Sequence, residues 1–127
     1  MLGMTAIARL GAVALDAPDP AALSRFYQDM LGVEVFFDSP DFVALKGASV
    51  LLTIHLVADL PPASWPDGRV PKQIHLDLAV DDLDVAEEAA VAAGAVKAGV
   101  QPRPDRWRVL IDPAGHPFCL SAFIPEV

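Results

Sequence analysis

One cysteine, Cys119, is all the thiol this 127-residue chain has, so no intramolecular disulfide can staple it. Positive charge is also scarce: nine Lys and Arg stand against 17 Asp and Glu, a formal net charge of −8. A chain of that sign repels phosphate backbones and anionic lipid alike, so neither nucleic acid nor a membrane surface is an expected partner. No run approaches the ~20 apolar residues of a membrane-crossing helix. Met1 to Leu10 holds only scattered apolar residues, with Arg9 near its end rather than ahead of an apolar stretch. No secretory leader is therefore expected, and a reducing cytoplasm is the default location. There is no glycine-rich phosphate loop, and no serine sits in a nucleophile elbow, so nothing signals a phosphate-loop enzyme or a serine hydrolase.

What the chain does have is apolar mass. Hydrophobic residues make up 54% and charged residues 20%, which excludes disorder as the expectation and fits one core-bearing domain over residues 1–127. Pro61, Pro62, Pro66 and Pro71 crowd one stretch, and proline suits neither a helix interior nor a central strand. That stretch, 58–71, reads as a linker between a module at 8–57 and a module at 72–125.

The two modules carry one pattern. In the first, the apolar run Leu10–Asp16 reads as a strand. Asp19-Pro20 then opens a helix: Asp19 can cap it, and proline suits the first turn. Leu23, Phe26, Tyr27 and Met30 recur at helical spacing to about Leu31, and Gly32 ends the helix. Strands are expected at Val33–Phe37, Phe42–Lys46 and Val50–Leu56. In the second module a strand at Gln73–Val80 leads to a helix capped by Asp82, which runs to about Ala93 and ends at Gly94. Strands near Val96–Val100, Trp107–Ile111 and Phe118–Phe123 complete it. Val13, Leu15 and Asp19 match Leu76, Leu78 and Asp82 at one constant offset. The plan is βαβββ twice, an α+β architecture in which each copy completes the other's core.

Strand alternation assigns faces. Val13, Leu15, Leu76, Leu78 and Leu120 fall on aliphatic faces and, with Phe26, are expected in the core. The opposite, mixed faces carry Ala12, Thr53, His55, His75, Asp77, Cys119 and Ser121. If the sheet curls, these line a cavity for a small-molecule ligand, with Thr53 and Asp77 fixing its orientation; otherwise they are wet sheet surface. Trp107 and Arg108 point to opposite faces of their strand, so one of them lines the cavity. An indole there would be a stacking wall, and a guanidinium would bind an anionic group. His116, in the Gly115-His116-Pro117 turn, reads as surface. Asp81, Asp82, Asp84, Glu87 and Glu88 read as a solvated helix start and face rather than an acid/base pair.

Several stretches together resemble the vicinal oxygen chelate superfamily of glyoxalases, bleomycin-resistance proteins and extradiol dioxygenases. They are Val13-Ala-Leu15-Asp-Ala-Pro-Asp19 with Phe26-Tyr27 and Leu31-Gly32; His75-Leu-Asp77-Leu-Ala-Val80-Asp-Asp82; and Trp107-Arg-Val-Leu-Ile111-Asp-Pro-Ala-Gly115-His-Pro-Phe-Cys119. The resemblance implies eight strands in a U-shaped mixed sheet, and a homodimer. It also implies metal ligands on the first and last strands of the modules. By position these sites fall on Ala12, which cannot ligate, on His75, which matches, on Cys119, where the family has Glu, and near His55 or Thr53. His55, His75 and Cys119 would then be a nitrogen and sulfur set suited to a divalent metal, zinc or similar. Two functions stay open: a metal-free small-molecule-binding protein, favoured by Ala12 and Cys119, and a metal-dependent lyase, isomerase or dioxygenase acting on a small oxygenated substrate.

Overall fold

A computed structural model describes residue 6 and residues 8–61 and 74–126. Most of the proline-rich linker, residues 62–71, and the start of the second module lie outside the described residues. The elements follow the repeat. β1 (Ala12–Ala17), α1 (Pro20–Leu31), β2 (Glu34–Ser39), β3 (Phe42–Lys46) and β4 (Leu51–Leu56) form the first module. β5 (Leu76–Ala79), α2 (Leu83–Ala93), β6 (Val96–Lys97), β7 (Trp107–Ile111) and β8 (Pro117–Ser121) form the second.

Both helices start as their sequences dictate. The Asp19 carboxylate accepts from the Ala22 amide at 3.2 Å, and the Asp82 carboxylate accepts from the Val85 amide at 3.0 Å. Each satisfies an amide that the first helical turn leaves without a carbonyl. α1 stops at Gly32 with φ of 64°, a left-handed conformation that a side chain would resist.

The eight strands divide into two hydrogen-bonded sheets of four with the same order, β1-β4-β3-β2 and β5-β8-β7-β6. In each, the first strand runs parallel to the last and the other pairs are antiparallel. The repeat read from sequence is thus a repeat of topology, and the register agrees: Val13 pairs Leu52, and Leu76 pairs Phe118.

Two local expectations are corrected. β6 is two residues long, not five. Beyond it the Gln101 side chain acts as a strand partner: its amide nitrogen donates to the Ala98 and Val109 carbonyls, and its oxygen accepts from the Val109 amide. A side chain has taken the ladder's place, and alternation cannot foresee that. Val13, Leu15, Leu76 and Leu78 pack against the core but are half-buried rather than fully buried. β1 and β5 are edge strands, so each has a neighbour on one side only. The deepest core lies instead at Leu23, Phe26, Tyr27, Ile54, Phe118 and Leu120.

One hydrophobic cluster contains residues of both modules. The Phe26 ring meets Phe118 edge-on at 5.8 Å between centroids, across the module boundary. Beside it the Tyr27 hydroxyl donates to Asp112 Oδ2 at 2.7 Å in a buried contact. Burial, and secondarily the Asp112 carboxylate, push the Tyr27 hydroxyl's pKa far above the usual phenol range, so it remains a donor. Asp112 also organises the turn before β8: its Oδ1 accepts from the amides of Ala114 and His116. His116 is half-buried rather than a surface residue. Its Nε2–H donates to the Asp16 carbonyl of the first module, which fixes the tautomer, because a carbonyl can only accept. Among the described residues no helix is long and apolar enough to cross a membrane.

Candidate functional site

The parallel pairing of β5 with β8 builds the site. Asp77 and Cys119 are direct register partners, so their side chains emerge on the same face, as do those of Ala79 and Ser121. β7 lies on the other side of β8 and adds Trp107 opposite Ser121, and Val109 opposite Cys119. His75, immediately before β5, shares the face of Asp77. Val109 is fully buried. On this face a cavity of about 330 Å³ is lined by His75, Asp77, Trp107, Cys119, Ser121 and Ile124. Trp107 and Ile124 supply its large apolar surfaces, and the guanidinium carbon of Arg103 sits 6.0 Å from the centre of the Trp107 ring.

The polar end of the cavity is compact. His75 Nε2 donates to Asp77 Oδ1 at 3.0 Å. One metal-ligating atom from each of His75, Asp77 and Cys119 lies within 4.8 Å of the others. Asp77 is exposed, His75 half-buried and Cys119 buried, so the group runs from the cavity mouth to its floor.

Of the residues singled out from sequence, four therefore meet here: His75, Asp77, Trp107 and Cys119. The others do not. Thr53 and His55 lie on β4, in the sheet of the first module. There the Thr53 hydroxyl and His55 Nε2 are hydrogen-bonded at 3.3 Å, and the His55 ring meets Phe42 edge-on at 4.8 Å. Among the described residues the ligating atoms that cluster are those of His75, Asp77 and Cys119, and His55 is not one of them. The reason is hydrogen bonding: β4 is laddered to β1 and β3, whereas β5 is laddered to β8.

Arg108 faces away from the cavity. Alternation on β7 turns it toward α2, where it pairs with Asp84 and Glu87, each at 2.9 Å, and donates to the Pro104 carbonyl. Burial raises the pKa of the Glu87 carboxyl, but hydrogen bonds from Arg108 and Lys97 outweigh that and hold it below the usual carboxylate range. Donating to the Glu87 and Asp84 carboxylates raises the pKa of the Arg108 guanidinium. Part of the acidic face of α2, read from sequence as simply solvated, is therefore an ion-pair partner for the sheet. Ile124 escaped the sequence reading because it lies past the end of the last strand, where no periodicity marks its side.

The resident metal of a site shared between modules does not fit these residues. Its position on β1 is Ala12, a methyl group, and β1 is laddered to the sheet that carries His55 rather than to the one that carries His75. Among the described residues, the donors that do cluster all belong to the second module.

Comparison with known proteins agrees with this fold. A family model described as a glyoxalase-like domain matches residues 12–121. A glyoxalase/bleomycin resistance protein/dioxygenase family enzyme from Burkholderia phytofirmans is 25% identical, with 89% of this chain and 97% of that one covered and a TM-score of 0.66. Two others share the fold. Fosfomycin resistance protein FosX from Listeria monocytogenes, solved as a mutant with Mn(II) and a dihydroxypropylphosphonic acid, is 20% identical over 94% of this chain and 95% of that one, with a TM-score of 0.71. The bleomycin-binding protein of Streptomyces verticillus, solved with copper(II)-bleomycin, is 23% identical over 94% of this chain and 100% of that one, with a TM-score of 0.59. No protein of curated function matches the sequence. Two copies of one βαβββ topology, the mixed-face cavity and a family match spanning both copies lead to one assignment: the chain belongs to the glyoxalase-like domain family.

Proposed function

We propose that this protein binds a small organic molecule in the cavity of its second module. One observation carries the reading: a cavity of about 330 Å³ that joins the apolar surfaces of Trp107 and Ile124 to a cluster of polar groups at its other end. That size and that division of labour, apolar area for affinity and a few polar groups for orientation, are those of small-molecule sites. The ligand expected is a compact molecule with a flat or apolar portion to lie on Trp107 and a hydrogen-bonding group to meet Asp77, His75 or Ser121. Among the described residues the lining contains no Lys or Arg. The fold-sharing bleomycin-binding protein and FosX were each solved with a small bound compound, which supports binding as the property of the fold that is retained here.

Calorimetric titration with bleomycin, fosfomycin and a set of neutral aromatic fragments tests this. Neutral aromatics should bind better than fosfomycin. Trp107→Ala should lower their affinity at least tenfold, since burying a large apolar side chain contributes about 1.5–3 kcal/mol. Failure of every aromatic to bind, or binding indifferent to Trp107→Ala, would overturn the assignment.

A second reading, a metal-dependent lyase, isomerase or dioxygenase acting on a small oxygenated substrate, is favoured by the convergence of His75, Asp77 and Cys119. A cation held there would supply Lewis-acid stabilisation of an oxygen entering the cavity.

We also propose that the protein is a homodimer. β2 is an edge strand, and Val35, Phe36 and Phe37 on it are 42%, 66% and 52% exposed. A bare edge bearing two phenylalanines is a pairing surface unless something covers it. Sedimentation equilibrium at micromolar concentration should return twice the chain mass, and Phe36→Lys should return the single-chain mass. A wild-type monomer would sink the idea.

A further inference from the structure

We infer that the ligand of this cavity is an arylcarboxylate, with its ring on Trp107 and its carboxylate held at the rim by Arg103, Arg106 and Ser121. The inference rests on the small-molecule reading above and names the class of the molecule.

The chain concentrates its few cations here. Arg103, Arg106 and Arg108 stand at the start of β7, in a chain with nine Lys and Arg in all. Arg108 is held by Asp84 and Glu87 behind the sheet. The other two stand over aromatic rings on the cavity side. The Arg103 guanidinium carbon is 6.0 Å from the centre of the Trp107 ring, and that of Arg106 is 4.8 Å from the centre of the Phe123 ring. Trp107 lines the cavity, and Phe123 lies in the chain between Ile124, which also lines it, and the segment that begins at Ser121. A tight turn fixes the loop before any ligand arrives: the Arg103 carbonyl accepts from the amides of Arg106 and Trp107 at 2.9 and 3.0 Å. Pro102 and Pro104 flank Arg103, and proline's fixed φ leaves that loop little freedom to lose.

Donor chemistry selects the ligand's polar end. A guanidinium carried over an aromatic ring keeps its N–H groups in its own plane, a fork that matches the two oxygens of a carboxylate. Arg103 also reaches Asp105 at 3.8 Å, but both side chains are exposed, and so weak a pair yields to an arriving carboxylate. Ser121 is the register partner of Trp107, and its Oγ accepts from the Phe123 amide at 3.2 Å, which leaves the hydroxyl hydrogen to donate to the ligand. Asp77 opposes a negative ligand only at a distance. It stands on β5 with β8 between it and β7, two strand spacings or roughly 10 Å away, about one screening length at physiological salt. A single negative charge therefore suits this flank of the cavity. The indole of Trp107 and the Ile124 side chain select a flat apolar body for the rest of the molecule. The anion-binding guanidinium expected of Arg108 is thus supplied by its two neighbours.

The test compares indole-3-acetate with indole-3-acetamide, two probes of one shape and different charge, by calorimetric titration of the full-length protein. The acid should bind at least about tenfold more tightly than the amide at low salt, because its hydrogen bonds to guanidinium are charge-assisted. Raising salt from about 0.01 M to 1 M, which shortens the screening length from about 30 Å to 3 Å, should remove most of that preference. In the double variant Arg103→Gln, Arg106→Gln the acid-to-amide ratio should fall to within about twofold, since the charge that made the bonds strong is gone. Both arginines are exposed, so these replacements leave the core untouched. Acid and amide binding equally to the wild-type protein, or a preference that survives the double variant, would overturn the inference and leave the binding function standing. If neither these probes nor any other aromatic binds, both readings fall together.

Discussion

Replacing Asp112 with alanine is expected to cost about 3–5 kcal/mol of unfolding free energy, because hydrogen bonds to an ionised group are worth about 1.5–3 kcal/mol each and three are lost together. The carboxylate accepts from the Tyr27 hydroxyl and from the amides of Ala114 and His116. Its removal therefore loosens the turn before β8 and leaves a buried phenol without its acceptor. The three bonds share one residue, so their separate values do not add. Asp112→Asn should cost less, since one amide oxygen can still serve the turn. Tyr27→Phe should cost about 1.5–3 kcal/mol, the value of the one bond it removes. Denaturant unfolding of the two single variants and the double variant measures the coupling, expected within about 0.5–3 kcal/mol. Additive losses would mean that Tyr27 and Asp112 do not act together. The pH dependence has a definite sign. Burial keeps Tyr27 protonated in the folded protein, while an unfolded tyrosine ionises near pH 10. Its contribution is present below about pH 10 and is lost as pH rises above that value, and Tyr27→Phe should flatten this alkaline slope.

Phe26→Ala should cost about 3–5 kcal/mol through the lost transfer of the ring from water and the cavity left behind. Phe26 is 2% exposed, and its ring lies 4.9 Å from Tyr27 and 5.8 Å from Phe118. It is where the first module's helix meets the second module's last strand. A domain of this class has about 5–15 kcal/mol of total stability, so the loss would be a large share of it. Calorimetry should show one cooperative transition displaced to lower temperature. Two separate transitions in the variant would mean that Phe26 serves mainly to couple modules that can melt singly. A loss under about 1.5 kcal/mol, half the low end of the expected range, would mean that the neighbouring rings close the gap.

The repeat is legible in the chain itself because its signals are local. Asp19-Pro20 and Asp82 mark helix starts through capping, Gly32 and Gly94 mark the ends, and alternation in β4, β5 and β8 separates an aliphatic face from a mixed one. Each depends on residues a few positions apart, and each appears where expected. His75, Asp77 and Cys119 are legible as cavity-facing for the same reason. The short β6 is not, because a Gln101 side chain replaces a backbone partner. The half-burial of Leu76 and Leu78 is not either, because being at a sheet edge is a property of strand order.

By itself the sequence determined that this is an α+β chain of two βαβββ copies, and which face of each strand is polar, since capping and period-two alternation are written in neighbouring residues. Tertiary structure alone decided which polar faces meet. Pairing β5 with β8 put Asp77 beside Cys119, and left His55 and Thr53 on another sheet. Alternation on β7 set Trp107 and Arg108 on opposite faces, and the fold decided that Trp107 took the cavity and Arg108 took α2. Contacts between residues distant in the chain are chosen by strand partnership and helix packing, which depend on the free energy of the whole fold rather than on any local pattern.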